Sequence, residues 1–193
     1  PIYSHNQKGN VKKVDAGLDI EYSKIMTSNG TEKNIKMTVY IRVKKNKFNF
    51  NATITNKENV RINEVKLPFI DLNVIGDVER SNDILYRSFG MGQRIKNPWK
   101  KIDRGNTEYM AADNKEIWYD MTYPSKASMA WLGIESSDSF FYLGKHDELF
   151  RSCSLGVGKG PRNTSPRMML TISHFPLLNK GEKETLADSV VAY

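Results

Sequence analysis

Between residues 35 and 43 every odd position is apolar: Ile35, Met37, Val39, Ile41 and Val43 are separated by Lys36, Thr38, Tyr40 and Arg42. A period of two puts the first set on one face of an extended chain and the second on the other, which predicts a β-strand with one buried side. The next run keeps the rule in a new register, with Phe48, Phe50, Ala52 and Ile54 alternating with Asn49, Asn51, Thr53 and Thr55. The short basic link 44–47 between them has the length of a hairpin connection. After a polar turn at 56–59, Val60, Ile62, Val65, Leu67 and Phe69 form a third apolar segment, interrupted by a bulge and by Pro68.

Further strands are predicted at 116–121, 128–135, 140–144, 167–173 and 188–193, separated by turn clusters at 136–139 and 156–166. The glycine run 156–160 reads as a flexible turn. No window longer than about ten residues carries an apolar face at helical spacing, and 147–151 offers one short turn. The expected fold class is all-β, an antiparallel β-sandwich with few or no helices, built as one domain over residues 1–193. The segment 73–113 holds Gly76, Gly90, Gly92, Pro98 and Gly105 among isolated aromatics and has no long alternating run, so it is expected to form long rim loops.

Composition then narrows the function. No stretch approaches the roughly 20 apolar residues of a membrane-crossing helix, so no membrane span is expected. The one cysteine, Cys153, closes no internal disulfide, and His5, His146 and His174 lie outside zinc-binding spacings. Asp71, Asp77, Glu79 and Asp83 are close in sequence but do not match a calcium-loop pattern. No metal and no cofactor is expected. The net charge of +7 raises the question of nucleic acid, yet the lysines are scattered among asparagines and turns, as in Lys44-Lys45-Asn46-Lys47. A dispersed charge of this kind is a solvated surface, and no nucleic-acid partner is expected.

Catalytic signatures are missing too. Cys153 matches no thiol-enzyme pattern, and the chain has neither a serine elbow nor a phosphate-binding loop. Asp113, Glu116, Asp120, Glu135, Asp138, Asp147 and Glu148 could supply a carboxylate pair for glycoside hydrolysis, but their spacing ranks none of them, so no catalytic residue is assigned. Aromatic residues are more informative: Trp99, Trp118, Tyr119, Tyr123, Trp131, Phe140, Phe141 and Tyr142 concentrate in the middle of the chain. Strand aromatics commonly fill a core. They also stack on sugar rings while neighbouring polar groups take the hydroxyls, and Trp99, beside Pro98, is the one expected to be exposed.

The motifs Tyr123-Pro124-Ser125, Ser128-Met129-Ala130-Trp131-Leu132 and Phe141-Tyr142-Leu143-Gly144-Lys145-His146-Asp147 resemble a pattern of large bacterial glycoside-hydrolase-like proteins. There a β-supersandwich, similar to galactose mutarotase, precedes a (β/α)8 barrel. The family pattern runs tyrosine-proline-glycine, methionine-glutamine-tryptophan and glycine-leucine-tyrosine-leucine-glycine-x-histidine-aspartate. Asn56 with Val65-Lys66-Leu67-Pro68-Phe69, Ile84-Leu85-Tyr86 with Gly90, and His174-Phe175-Pro176 through Gly181 to Val190-Val191 resemble other parts of it. Ser125 stands where the family has glycine and Ala130 where it has glutamine, so no role of that glutamine carries over.

The resemblance implies a non-catalytic, carbohydrate-associated sandwich from a longer chain, secreted or periplasmic in a bacterium. Its expected partners are a glycan or oligosaccharide and the catalytic barrel of the same parent chain. Candidates for the carbohydrate-binding or interface surface are Trp99, Trp118, Tyr123, Trp131, His146 and Asp147. The His146-Asp147 pair would face that surface or form a hydrogen-bonded corner after the strand. Two other functions follow from different chemistry. A mutarotase-like sugar isomerase would need an acid and a base, drawn from His146 with His174 or a nearby glutamate. A basic nucleic-acid module would show steep salt dependence.

Overall fold

The computed structural model describes residues 7–72, 82–101, 117–137, 139–159 and 168–193. Its elements are β1 (Asn10–Val14), β2 (Gly17–Tyr22), β3 (Ile25–Met26), β4 (Glu32–Lys33), β5 (Ile35–Lys44), β6 (Lys47–Asn56), β7 (Val65–Leu72), β8 (Ile84–Phe89), β9 (Gln93–Lys96), α1 (Pro98–Lys101), β10 (Ile117–Tyr123), β11 (Ala127–Ser136), β12 (Ser139–His146), β13 (Cys153–Lys159), β14 (Met168–His174), β15 (Lys183–Thr185) and β16 (Asp188–Ala192). Among the described residues α1 is the only helix, so the all-β expectation holds. Two compact units result, one of Pro1–Val65 with Phe175–Asp188 and one of Lys66–His174 with Ser189–Tyr193.

In the first unit the antiparallel strands run β1, β2, β5, β6, with β15 also paired to β6. The predicted hairpin is present: Ile35 pairs with Asn56 and Lys44 with Lys47, and Lys45 takes the left-handed φ of 56° in the turn. Val39, Ala52 and Ile54 are buried as the alternation requires. Phe48, near the hairpin turn, stays exposed. Asn56 is fully buried and donates its amide to the carbonyls of Val60 (2.6 Å) and Leu178 (3.1 Å), which ties down the turn that follows β6. β1 and β2 were not predicted, although Leu18, Ile20 and Tyr22 alternate with Asp19 and Glu21.

The second unit is a two-layer sandwich. One sheet has the order β16, β12, β11, β8, β9, the other β10, β13, β14, β7. Their inner faces meet where β11 and β12 lie on β13 and β14. Leu85, Leu132, Ile134, Leu143, Leu155, Leu170 and Ile172 form this core and are essentially inaccessible. Each such side chain contributes roughly 1.5–3 kcal/mol by leaving water. Because the period is two, burying Leu132 and Ile134 turns Trp131, Gly133 and Glu135 to the opposite face of β11.

Two expectations are corrected here. The turn predicted from residue 156 is instead the second half of β13, with Gly156 opposite Thr171 and Gly158 opposite Met169. Cys153, Leu155 and Val157 form its buried alternate set. The two glycines leave only Ser154 as a side chain among the alternate positions 154, 156 and 158, which erases most of the polar half of the pattern. Within the expected rim loops at 73–113, β8 and β9 form a hairpin closed by Gly90 and Gly92 at φ 57° and 104°. These strands have six and four residues, too short for periodicity to stand out from the flanking glycines. Residues 73–81 and 102–116 lie outside the described set, as do Asp77, Glu79 and His5.

Candidate functional site

The outer face of the first sheet of the second unit, away from its core, carries aromatic residues where a polar surface is usual. Trp131 on β11 pairs with Gly144 on β12, and Gly133 with Tyr142. A Cβ at residue 144 would run into the ring and hydroxyl of Tyr142, so glycine there lets that ring lie along the strand. Gly133 does the same for the ring of Phe140, its diagonal neighbour on β12. Tyr142 leans toward His146, where its hydroxyl lies 3.0 Å from Nε2. Trp131 stacks on Tyr142 with centroids 6.2 Å apart and planes at 23°, and the His146 ring meets Tyr142 edge-on at 6.1 Å. Burial pushes the Tyr142 hydroxyl above its usual pKa. Trp131 and Tyr142 are half-buried and His146 is exposed, so their uncovered surface faces solvent.

Phe140 continues the aromatic surface to Tyr86 on β8, with centroids 6.0 Å apart. The Tyr86 hydroxyl donates to the Glu135 carboxylate and accepts from Arg94 Nε at 3.2 Å. Arg94 also lies over the Tyr86 ring, with Cζ 6.0 Å from the centroid. Arg94 and Phe140 are exposed.

One residue beyond His146 the environment reverses. The Asp147 carboxylate accepts from the backbone N–H of Leu149 (3.1 Å) and Arg151 (3.0 Å), from Arg151 Nε (3.0 Å) and from Lys145 Nζ (3.0 Å). Lys145 Nζ also donates to the carbonyl of Arg151. The side chains of Lys145 and Asp147 are 2% and 6% exposed, so this ion pair is interior to the corner that joins β12 to β13. Burial pushes the Asp147 carboxyl up, but the hydrogen bonds from Arg151, Lys145 and the Leu149 N–H, with the Lys145 charge, outweigh it and hold the group well below the carboxylate range. Next to it Cys153 is inaccessible, and burial pushes its thiol up to about 11. His174 Nε2 donates to the Leu67 carbonyl at 2.9 Å beside Ser189, and burial lowers its pKa to about 4.

No family model matches the sequence, and no curated protein matches it. Solved structures do. A galactose mutarotase-related enzyme from Lactobacillus acidophilus superposes with a TM-score of 0.57 at 8% identity, over 97% of this chain and 72% of that one. A candidate aldose 1-epimerase from Escherichia coli K12 gives 0.54 at 9% identity, over 96% and 68%. The galactosidase domain of an α-galactosidase–sucrose kinase gives 0.51 at 11% identity, over 98% of this chain and only 26% of that one. The fold is the galactose mutarotase-like β-sandwich. At these identities the likeness carries the fold alone, and it is the fold that the motif resemblance implied.

On this mutarotase-like sandwich the six candidates do not share one place. Trp131 and His146 come together on the outer face, joined by Tyr142. Asp147 turns inward and makes the hydrogen-bonded corner. Tyr123 ends β10 in the other sheet, opposite Cys153, and is half-buried. Trp99 lies in α1 and Trp118 in β10, and both side chains are outside the described set. Tyr142, Tyr86, Glu135 and Arg94 were missed as members of one surface. For Tyr142 a signal existed, since period two places it on the same side of its strand as His146. Tyr86 and Arg94 reach the surface only through the pairing of β8 with β11 and β9.

Proposed function

We propose that this chain is a non-catalytic, carbohydrate-associated domain of a bacterial glycoside hydrolase, secreted or periplasmic, that shapes a glycan site beside a catalytic barrel of the same parent chain. The observation that carries the carbohydrate reading is the Trp131–Tyr142 platform with His146 at its end. Flat aromatic faces receive the C–H face of a sugar, and the flanking His146 imidazole takes a hydroxyl. The parent-chain reading is supported by the Tyr142-Leu143-Gly144-Lys145-His146-Asp147 motif and by the likeness to 26% of a much longer galactosidase chain. The absence of turnover is supported by three buried groups: Asp147 is saturated with donors, His174 serves the Leu67 carbonyl, and the Cys153 thiol stays protonated at neutral pH.

A second reading, a mutarotase-like isomerase, is favoured by one observation. The chain superposes over 97% of its length on a galactose mutarotase-related enzyme, although Glu135 lies opposite Phe140, six residues along β12 and about 20 Å from His146, and His174 is buried. Calorimetric titration against a panel of plant and host oligosaccharides, with an anomer-exchange assay on the same sample, separates the two. Binding that is lost in Trp131→Ala, with no exchange above buffer, is the expected result. Exchange above buffer selects the isomerase, and no binding by any glycan leaves a scaffold role alone.

A further inference from the structure

The aromatic platform is one part of a longer row. Arg94 pairs with Tyr86, Tyr86 with Gly133, and Gly133 with Tyr142, so these four residues lie side by side across β9, β8, β11 and β12. At the spacing of neighbouring strands the row spans about 14 Å, a length that roughly three pyranose rings fill. Its Tyr142 end carries Trp131 and His146. Its other end is cationic. Arg94 spends Nε on the Tyr86 hydroxyl, while its two Nη groups make no hydrogen bond or ion pair among the described residues. Lys96, two residues along β9 and on the same face, is exposed and likewise meets no carboxylate there. Glu135 is engaged by Tyr86, so it orients the relay to Arg94 without neutralising the guanidinium directly.

Resting on the carbohydrate reading above, we propose that this row is a site for a uronate-containing oligosaccharide whose carboxylate is taken by Arg94. A guanidinium held at Nε and stacked on a ring presents its Nη edge as a fixed fork, which matches a planar carboxylate, and Lys96 adds a second positive charge beside it. Neutral sugars would use the Trp131 end and leave the fork to water.

The test is calorimetric titration of the full chain with trimers of galacturonate, mannuronate and glucuronate, each compared with the same trimer after reduction of its carboxyl groups to alcohols. At about 50 mM salt exposed charges are only partly screened. One uronate series is expected to bind about tenfold or more tightly than its reduced form. Arg94→Gln should bring the native trimer to the affinity of the reduced one, Lys96→Gln should do so in part, and Trp131→Ala should weaken both forms. Unchanged thermal melting of the two exposed β9 variants excludes misfolding as the cause. Equal affinity for native and reduced trimers overturns the anion site while leaving the platform in place, as does a uronate preference that survives Arg94→Gln. A sulfated neutral trimer that binds as tightly as the uronate, with the same dependence on Arg94, overturns the choice of carboxylate. Failure of every native and reduced trimer to bind overturns the platform with it.

Discussion

The corner after β12 and the outer face of the sheet that β12 belongs to differ in how completely their hydrogen-bonding groups are used. In the corner, Asp147 takes donors from Leu149, Arg151 and Lys145, and Lys145 gives its remaining reach to the Arg151 carbonyl. On the outer face, the Trp131 indole N–H and the Arg94 Nη groups have no partner among the described residues. A buried charge is tolerable only when its partners are complete, so the corner is architecture. An exposed donor is satisfied by water and can exchange that water for a ligand, so the outer face is where recognition is possible. His146 and Asp147 are adjacent in the chain and fall on opposite sides of this division, because successive side chains of a strand leave by opposite faces.

The comparison breaks most sharply at Asp147. Asp147→Ala leaves the buried Lys145 ammonium without its counter-charge and removes the acceptor of the Leu149 and Arg151 N–H groups, and should cost about 3–5 kcal/mol in urea denaturation. A loss below about 1 kcal/mol would mean that the corner is open to water. Acid should act on the same region. His174 has its pKa lowered to about 4 from 6.5, so the unfolded chain binds the proton more readily throughout that interval. Stability is therefore full above pH 6.5 and falls as the pH is lowered toward 4, by on the order of 3 kcal/mol. Asp147 is also shifted downward, so its contribution is lost in the same direction, beginning only below its ordinary 3.8. Denaturation midpoints of wild type and His174→Gln measured from pH 7 to pH 4 should diverge, with the variant flatter.

Changes on the outer face should invert this balance. Trp131→Ala is expected to reduce glycan affinity by about 1–3 kcal/mol, read by calorimetric titration, in line with aromatic anchors at other binding surfaces. Its thermal melting should move little, because the indole is only half-buried. The smallest and most discriminating change is Gly144→Ala. The new methyl meets the far end of the Tyr142 side chain, which can swing away, so stability should change by no more than about 0.5 kcal/mol. Glycan affinity should still fall several-fold in titration, since Tyr142 can no longer lie flat beside Trp131. Unchanged affinity would show that the ring's orientation is immaterial to binding.

Legibility in the sequence followed the length and purity of each alternation. β5 and β6 were readable because ten residues on each side keep one register. β11 and β12 were readable from Leu132, Ile134, Phe141 and Leu143. β13 was misread because Gly156 and Gly158 remove the side chains that would have shown the polar phase, and β8 and β9 because each is too short to rise above its turns. Of the site, Trp131 and His146 could be named from residue type and motif, and the corner role of Asp147 was one of two readings of the motif.

What the sequence determined by itself was the class of the fold and the contents of each strand face, since burial of every second residue is a local property of an extended chain. The tertiary structure alone decided which strands became neighbours. Pairings between β8 and β11, and between β9 and β8, bring Arg94 and Tyr86 into one row with Tyr142, across separations in the chain that no local pattern encodes. It also decided which charges were enclosed, because desolvation depends on what packs over a residue and not on the residue itself. That is why Asp147 became part of the frame and Arg94, no more conspicuous in the sequence, kept a free edge.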